Sequence, residues 1–404
     1  MFTAHRSPER PDLLAQVERM KEIALRHAGD SERGRTLAPP VVDALRSSGL
    51  LKMCAPREVG GAEIDPLTHV EIAEAAARID TSTGWSLSIN AYSAACAGAY
   101  LPDAGVERVF RDGFPVVAGA LSPMGTARRV PGGYVIRGRW AFGSAIRHAA
   151  WVISVAVLAP EDGQPPAAVP GVIAFLIERE HVRIEDTWDT AGMRGTGSDH
   201  YRVDDAFVAE ELTFPFPNAP AQRGGLVFSL PTLPSVMPAH VGFALGVAQR
   251  ALDELLPMAS RRVNLWTSAS VADSPAFQMD LGRAAVKLAA ARDHAFSVIG
   301  SAWDRFNAGE PLSNEDNSAI RLAGAYATDV AAEVTTFAYR AAGAGVLYAS
   351  CPLQQYFRDI YGATQHIAVS DDAYQAFGRL RLGHDVSHPL FAPRPRSANR
   401  DGES

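Results

Sequence analysis

The segment Pro352–Val369, PLQQYFRDIYGATQHIAV, carries an Arg-Asp pair, Arg358 and Asp359, and a histidine, His366, eight residues after the arginine. An imidazole titrates near neutral pH, so it can take, give or hold a proton at a reacting atom. Phe357, Ile360, Tyr361 and Thr364 recur at helical spacing, which predicts a helix with one apolar face and His366 close to that face. A lone histidine there is ordinarily a satisfied core residue, so the segment needs support from elsewhere. Other motifs give no independent chemistry. Gly192-Met-Arg-Gly195-Thr-Gly197 lies between predicted strands and no P-loop lysine follows, so dinucleotide-loop and Walker readings both fail. Ser144 lacks a GxSxG setting, and no HExxH or metal-spaced cluster is present, so no metal is expected.

These groups need a scaffold, and the bulk composition bounds it. At 404 residues the chain exceeds one simple core, and 47% hydrophobic with 21% charged residues is ordinary for a globular enzyme. The net charge of −7 comes without a basic stripe, so neither nucleic acid nor an anionic membrane is an expected partner. Three scattered cysteines, Cys54, Cys96 and Cys351, fit a reducing cytoplasm and exclude a disulfide framework. The N-terminal MFTAHRSPERPDLLAQ has no apolar signal region, and no stretch reaches the ~18–20 apolar residues of a membrane helix.

Periodicity divides the chain into four parts. Residues 1–115 read as an N-terminal helical domain. Pro39-Pro40 opens one helix that Gly49 closes, and Asp80-Thr81-Ser82 caps another. Residues 116–225 carry six short β-rich runs, Val116–Ala120, Tyr134–Arg139, Trp151–Leu158, Val172–Ile177, Val182–Glu185 and Tyr201–Val208, expected to form a small antiparallel barrel or sandwich. Pro160–Gly171 reads as a surface loop. Residues 226–383 give four long helical patterns, Pro238–Leu256, Ser274–Asn307, Glu315–Gly343 and Pro352–Leu382, the makings of a four-helix bundle. Residues 384–404, with His384 and His388, read as an extended, exposed tail.

Together the pieces resemble the acyl-CoA dehydrogenase superfold, from about Leu37 to Leu382. Four motifs carry the likeness: Gly119-Ala-Leu-Ser122-Pro; Gly133 to Ser144, with Ala149-Ala150-Trp151; Gly192–Ser198 with Val203–Val208; and Gly246–Glu254. The fold expected is mainly α with a central β-domain. The resemblance implies a flavin site, where an apolar wall lies on one ring face and donors tune the ring edge. It puts Phe142 at the wall, Ser144 near N5 and O4, and Ser122 at the ring edge. Trp85, Asn90 and Tyr92 fall on a helix that roofs the substrate pocket, although the histidine many members carry near Asn90 is missing. Arg261 and Arg262 fall where an arginine reaches a flavin phosphate from a neighbouring subunit.

The departures from that pattern redirect the chemistry. Abstraction of an acyl thioester α-proton needs a carboxylate. The two positions where dehydrogenases keep it align with Ile367 and Val236 here, and Met237 replaces a following arginine. PLQQYFRD followed by ATQH, with a GRW-x-F-x-S strand, is instead similar to the two-component flavin monooxygenases on this scaffold. That likeness implies a homotetrameric oxygenase component. It would take reduced FMN or FAD from a separate NAD(P)H-flavin reductase and hydroxylate a small, aromatic or natural-product substrate through a flavin C4a-(hydro)peroxide formed with O2. His366 would then be either the base for a phenolic proton or the hydrogen-bond partner of the peroxide, with Ser144 beside it. An acyl-CoA dehydrogenase-type FAD oxidoreductase with a relocated base is the alternative enzyme, and a scaffold without chemistry the non-enzymatic one. Arg358 and Asp359 read as a structural pair ahead of a flavin or subunit contact, and Arg147-His148 as a solvated turn.

Overall fold

The computed structural model describes residues 6–160, 170–263, 269–386, 388–392 and 394. Most of the Pro160–Gly171 insert and the end of the tail lie outside the described residues. The chain opens with helices α1 (Arg10–Gly34), α2 (Pro39–Ser48), α3 (Pro66–Ile79), α4 (Thr81–Tyr100) and α5 (Asp103–Phe110). Proline occupies the first turn of α2, and Gly49 ends it in the left-handed region at φ 77°. The Asp80 carboxylate accepts from the Thr83 backbone N–H at 2.8 Å and from its hydroxyl at 2.7 Å, which starts α4 at a fixed point. Almost every side chain of α4 is buried, as its run of small residues allows.

Seven strands follow among the described residues: β1 (Val117–Val130), β2 (Gly133–Gly143), β3 (Trp151–Leu158), β4 (Val172–Glu178), β5 (Arg183–Glu185), β6 (Asp199–Ala209) and β7 (Thr213–Pro215). They make one sheet in the order β5-β6-β2-β1-β3-β4-β7. The expected antiparallel arrangement is corrected at β1 and β3, which run parallel with Val117 opposite Trp151. β1 also continues through Pro123-Met-Gly-Thr-Ala-Arg-Arg, whose proline, glycine and paired arginines hide a strand from propensity. Two register shifts matter for the site. Between Ala120 and Pro123, two residues of β1, Leu121 and Ser122, oppose no partner in β3. Between Trp140 and Gly143, β2 gains a residue over β6, and Phe142 takes the left-handed conformation at φ 67°. Such a bulge turns a side chain out of the sheet's alternation.

The C-terminal part is a helical bundle: α6 (Thr232–Arg261), α7 (Pro275–Asn307), α8 (Asn314–Ala342), α9 (Pro352–Ala363) and α10 (Asp372–Arg381). α6 lies against α3 at close range. A Cβ added at Gly242 would sit 2.4 Å from the Val70 carbonyl oxygen, and one at Gly246 would sit 2.3 Å from that of Glu74. Those glycines set the depth at which α6 enters the core.

The expected single helix over Pro352–Leu382 is in fact broken between α9 and α10 by a 3-10 turn, Ile367–Val369. The cause lies on another helix. Buried Arg321 of α8 donates to the carbonyls of Ile367 (3.1 Å) and Ala368 (3.2 Å) and to the Ser370 hydroxyl (3.3 Å). Carbonyls held by a guanidinium are not available to an i→i−4 ladder. The tail is also corrected in part. Arg394 is buried, bonded to Pro217, Tyr100 and Thr232, and His388 starts a short 3-10 turn by accepting from Leu390 N–H at 3.1 Å. Among the described residues no helix is long and apolar enough to cross a membrane.

Candidate active site

His366 sits in the α9–α10 break and not on a helix. Its Nδ1 lies 3.2 Å from the Ala368 backbone nitrogen, which can only donate. Nδ1 is therefore the acceptor and the ring proton is on Nε2. Burial pushes the ring's pKa down to about 4, so the imidazole is neutral through the physiological range.

Two further rings meet it. The imidazole of His240, on α6, faces that of His366 with centroids 4.4 Å apart and planes tilted by 43°. The buried Trp85 indole stands edge-on to His366 at 5.8 Å, to His240 at 5.4 Å and to Phe243 at 5.1 Å. Burial, with His366 and His69 nearby, holds His240 well below the ordinary imidazole range. Sequence reasoning passed over His240 because it lies in an apolar run of α6, where a histidine looks like core. The signal that could have found it is its spacing: it follows Val236, one of the two empty carboxylate positions, by one helical turn.

Ser144 lies on the other side of Trp85. Trp85 Nε1 donates to Ser144 Oγ at 3.0 Å, Ser144 Oγ is 2.8 Å from Ser198 Oγ, and Ser198 Oγ is 2.7 Å from Thr196 Oγ1. Thr196 donates to the Met193 carbonyl at 2.7 Å. An indole N–H only donates and the Thr196 proton is committed, so the three hydroxyls orient in one direction, from Trp85 through Ser144 and Ser198 to Met193. Asn90 holds the same corner, donating from Nδ2 to the carbonyls of Val117 (3.1 Å) and Ser144 (3.4 Å). Tyr92, two helical turns beyond Trp85, bonds Ser235 of α6 at 2.9 Å.

The Met193 end of this network is tied to α9. Fully buried Asp359 accepts from Met193 N–H at 2.6 Å and from the Thr81 hydroxyl. Arg358 does not pair with Asp359. It bonds Glu32 at 2.9 Å, Gln354 at 2.8 Å and the Ala191 carbonyl. The expected pair is thus two separate ties, both structural. Arg147 is half-buried and bridges buried Asp199 at 2.7 Å and exposed Asp186 at 2.8 Å, and His148 Nε2 lies 2.9 Å from Thr36 Oγ1, so the expected solvated turn is instead tied to the fold.

The residues expected at a flavin wall lie at the sheet surface. Phe142, pushed out by its bulge, is 64% exposed and meets only ring edges of Trp188 (6.2 Å) and His200 (5.8 Å) among aromatic neighbours. Exposed Met124 and Ser122 sit on the adjacent strand β1. Apolar side chains held facing water, two residues from a buried hydroxyl chain, fit the apolar wall and polar edge that an isoalloxazine needs. Arg261 and Arg262 are not brought to this place within the chain. They end α6, roughly 30 Å along the helix from His240, and donate to Pro257 and Ala341 of the bundle. No carboxylate replaces the missing dehydrogenase base at either aligned position: Val236 is half-buried and Ile367 is 75% exposed.

Comparison with known proteins gives this geometry its class. The acyl-CoA dehydrogenase N-terminal domain family matches residues 8–105 and the C-terminal domain family residues 239–371. An indole-3-acetate monooxygenase of Pseudomonas putida is 32% identical, over 88% of this chain and 90% of its own length. The oxygenase component of an FADH2-dependent resorcinol hydroxylase from Rhizobium is 25% identical, over 92% and 94%. The structure of XiaF from Streptomyces, in complex with FADH2 and glycerol, superposes with a TM-score of 0.85 at 27% identity, covering 95% of this chain and 97% of that one. The chain belongs to the acyl-CoA dehydrogenase superfamily, in its branch of flavin-dependent monooxygenases. It is a flavin-dependent oxygenase component acting on a small molecule.

Proposed function

We propose that the chain hydroxylates a small aromatic metabolite in the space beside Trp85, His240 and His366, with flavin against Phe142, Met124 and Ser122 and its edge at Ser144. Indole-3-acetate and resorcinol, in the names of two relatives, are of this substrate class. Reduced flavin, when bound, supplies the electrons that activate O2 for transfer to the ring. The chain's own residues do the rest. Trp85 and Phe243 give an apolar wall that excludes water. Ser144 receives the indole proton and passes its own along to Ser198, which leaves its remaining lone pair to accept from the flavin edge.

The observation that carries the role of His366 is the Ala368 N–H on Nδ1. With that amide as partner, the side chain presents Nε2–H to the pocket as a hydrogen-bond donor. Acting as a base would require the other tautomer, with two N–H groups opposed at 3.2 Å. His366 therefore holds reactive oxygen in place, and His240, across 4.4 Å, is the neutral ring able to take a substrate proton.

Two further readings complete the proposal. The protein works as a homotetramer in the cytoplasm, with Arg261 and Arg262 serving a neighbouring subunit's flavin. Exposed Met279 and Val286, two turns apart on α7, support a bundle face that is covered in the assembly. Purified protein given chemically reduced flavin, O2 and an aromatic acid tests the site through the ratio of product to H2O2. His366→Gln keeps a donor near the Nε2 position and is expected to retain most of the coupling, whereas His366→Ala loses it about 100–1,000-fold, the scale of one catalytic donor. Equal behaviour of the two variants removes the donor role.

A further inference from the structure

A small, partly open cavity of about 40 Å³, room for about three waters, lies between α3, α4 and the start of α6. His69, Tyr92, Cys96, Tyr100, Ser235 and Arg394 are among its lining residues. Arg394 is unusual among them. It is only 6% exposed, and its hydrogen-bond partners are neutral: the Pro217 carbonyl at 3.1 Å, the Thr232 hydroxyl at 2.7 Å and the hydroxyls of Tyr100 and Tyr92. Among the described residues no Asp or Glu makes an ion pair with it, and the ionisable groups facing it are Tyr92, Tyr100 and Cys96. All three are pushed away from ionisation by burial, so none is a counter-ion near neutral pH.

A buried guanidinium without an anion is costly, and native proteins almost always pair one. With Pro217, Thr232, Tyr100 and Tyr92 all bonded to it, only a remaining N–H of the fork is left for a ligand in the cavity. Ser235 and Pro238 line the cavity on α6 with His240 on the next turn, and His69, lining it from α3, is near enough to His240 to depress its basicity. Ser235 and His240 are roughly 7–8 Å apart along the helix.

We propose that this cavity is the anionic end of the substrate pocket: Arg394, carried in from the C-terminal segment, binds the carboxylate of an aromatic acid whose ring extends toward His240 and His366. The assignment rests on the placing of the substrate beside those histidines. It makes Arg394 part of the binding site and selects acids over neutral aromatics. A charge-assisted Arg-carboxylate hydrogen bond out of water is strong, and an uncharged amide of the same shape cannot reproduce it.

Titration calorimetry of the flavin-free full chain tests this with indole-3-acetate and phenylacetate, each against its own amide. The wild type should hold the acids at least tenfold more tightly than the amides. Arg394→Gln should abolish most of that preference, and Arg394→Lys should keep part of it. Thermal melting of the wild type gives a second reading that needs no variant: the acid should raise Tm and the amide should not. Equal affinity for acid and amide, no binding of either acid, or a preference that survives Arg394→Gln overturns the proposal. Because no flavin is present, a protein that prefers the acids yet hydroxylates nothing would defeat the reaction centre proposed above and leave the subsite standing.

Discussion

Trp85 separates Ser144 from His366: its indole N–H donates to the serine hydroxyl at 3.0 Å while its ring edge meets the imidazole at 5.8 Å. The two residues expected side by side are therefore linked through a third. One face of the site is a directed hydroxyl chain and the other is a pair of neutral imidazoles, with the indole as their common wall. Trp85→Phe keeps the wall and deletes the donor. One buried hydrogen bond is worth about 1 kcal/mol net. Stability should therefore fall little, while the freed Ser144 proton reorients and coupling of O2 use to product drops severalfold. Trp85→Ala, which opens a cavity, should cost about 3–5 kcal/mol and abolish turnover. Urea unfolding and the product-to-H2O2 ratio of both variants separate the two effects.

Asp359 makes a second prediction, on stability alone. Burial raises its pKa to about 7 against an ordinary value of 3.8, even though Thr81 and Met193 donate to it. The folded state then binds a proton that the unfolded state has lost, so the contribution to stability is full below pH 3.8 and is lost as pH rises to about 7. Asp359→Asn is isosteric, can accept from Met193 and donate to Thr81, and never ionises. Relative to wild type it should gain stability as pH rises from 4 to 7 and hold a constant advantage above. An unfolding free-energy difference that is flat over that range contradicts the raised pKa.

The histidine pair has the opposite sign. The ordinary imidazole value is 6.5, burial takes His366 to about 4, and His240 is lowered as well. Each contributes stability that is present above pH 6.5 and lost as pH falls toward its folded value. His240→Phe fills a similar volume without a titrating group, so the variant's stability should fall less steeply than the wild type's between pH 6.5 and 4. Its kcat should fall about 100-fold or more if His240 is the proton acceptor, with KM changing little. Denaturant titrations at several pH values, run beside steady-state kinetics, read both.

Local signals carried much of the fold. Pro39, Gly49 and Asp80 act on their own turns, so the ends of α2 and the start of α4 were legible from neighbours in sequence. His366 could be singled out from its motif, and Trp85 and Asn90 from the helix that bears them. What failed had its cause on another element. The bulge that exposes Phe142 exists only in the register of β2 against β6. His240 gains meaning only opposite His366, and Arg394 only once the tail is packed against Tyr100 and Thr232. The break that presents His366 is dictated by an arginine from α8, which no periodicity within Pro352–Leu382 could announce.

That arginine gives the last prediction. Arg321 touches neither the histidine ring nor the wall of the pocket as described, yet it holds both carbonyls that follow His366 in sequence, and it is 4% exposed. Arg321→Met preserves much of the volume and leaves those carbonyls without their donor. Hydrogen bonds from a charged group are worth about 1.5–3 kcal/mol each. The break should then relax toward a continuous helix, which removes the Ala368 N–H from Nδ1 and with it the fixed Nε2 donor. Flavin affinity, set at the sheet surface, should stay within about twofold, the scatter expected of a distant and independent site. Product should fall toward the level of His366→Ala, with H2O2 rising in its place. Imidazole nitrogen shifts in the NMR spectrum give the decisive reading. In wild type His366 should show the Nε2–H tautomer, and in Arg321→Met a mixture of both. A variant that keeps the single tautomer but loses product would mean that Arg321 acts on catalysis by another route than the pose of His366.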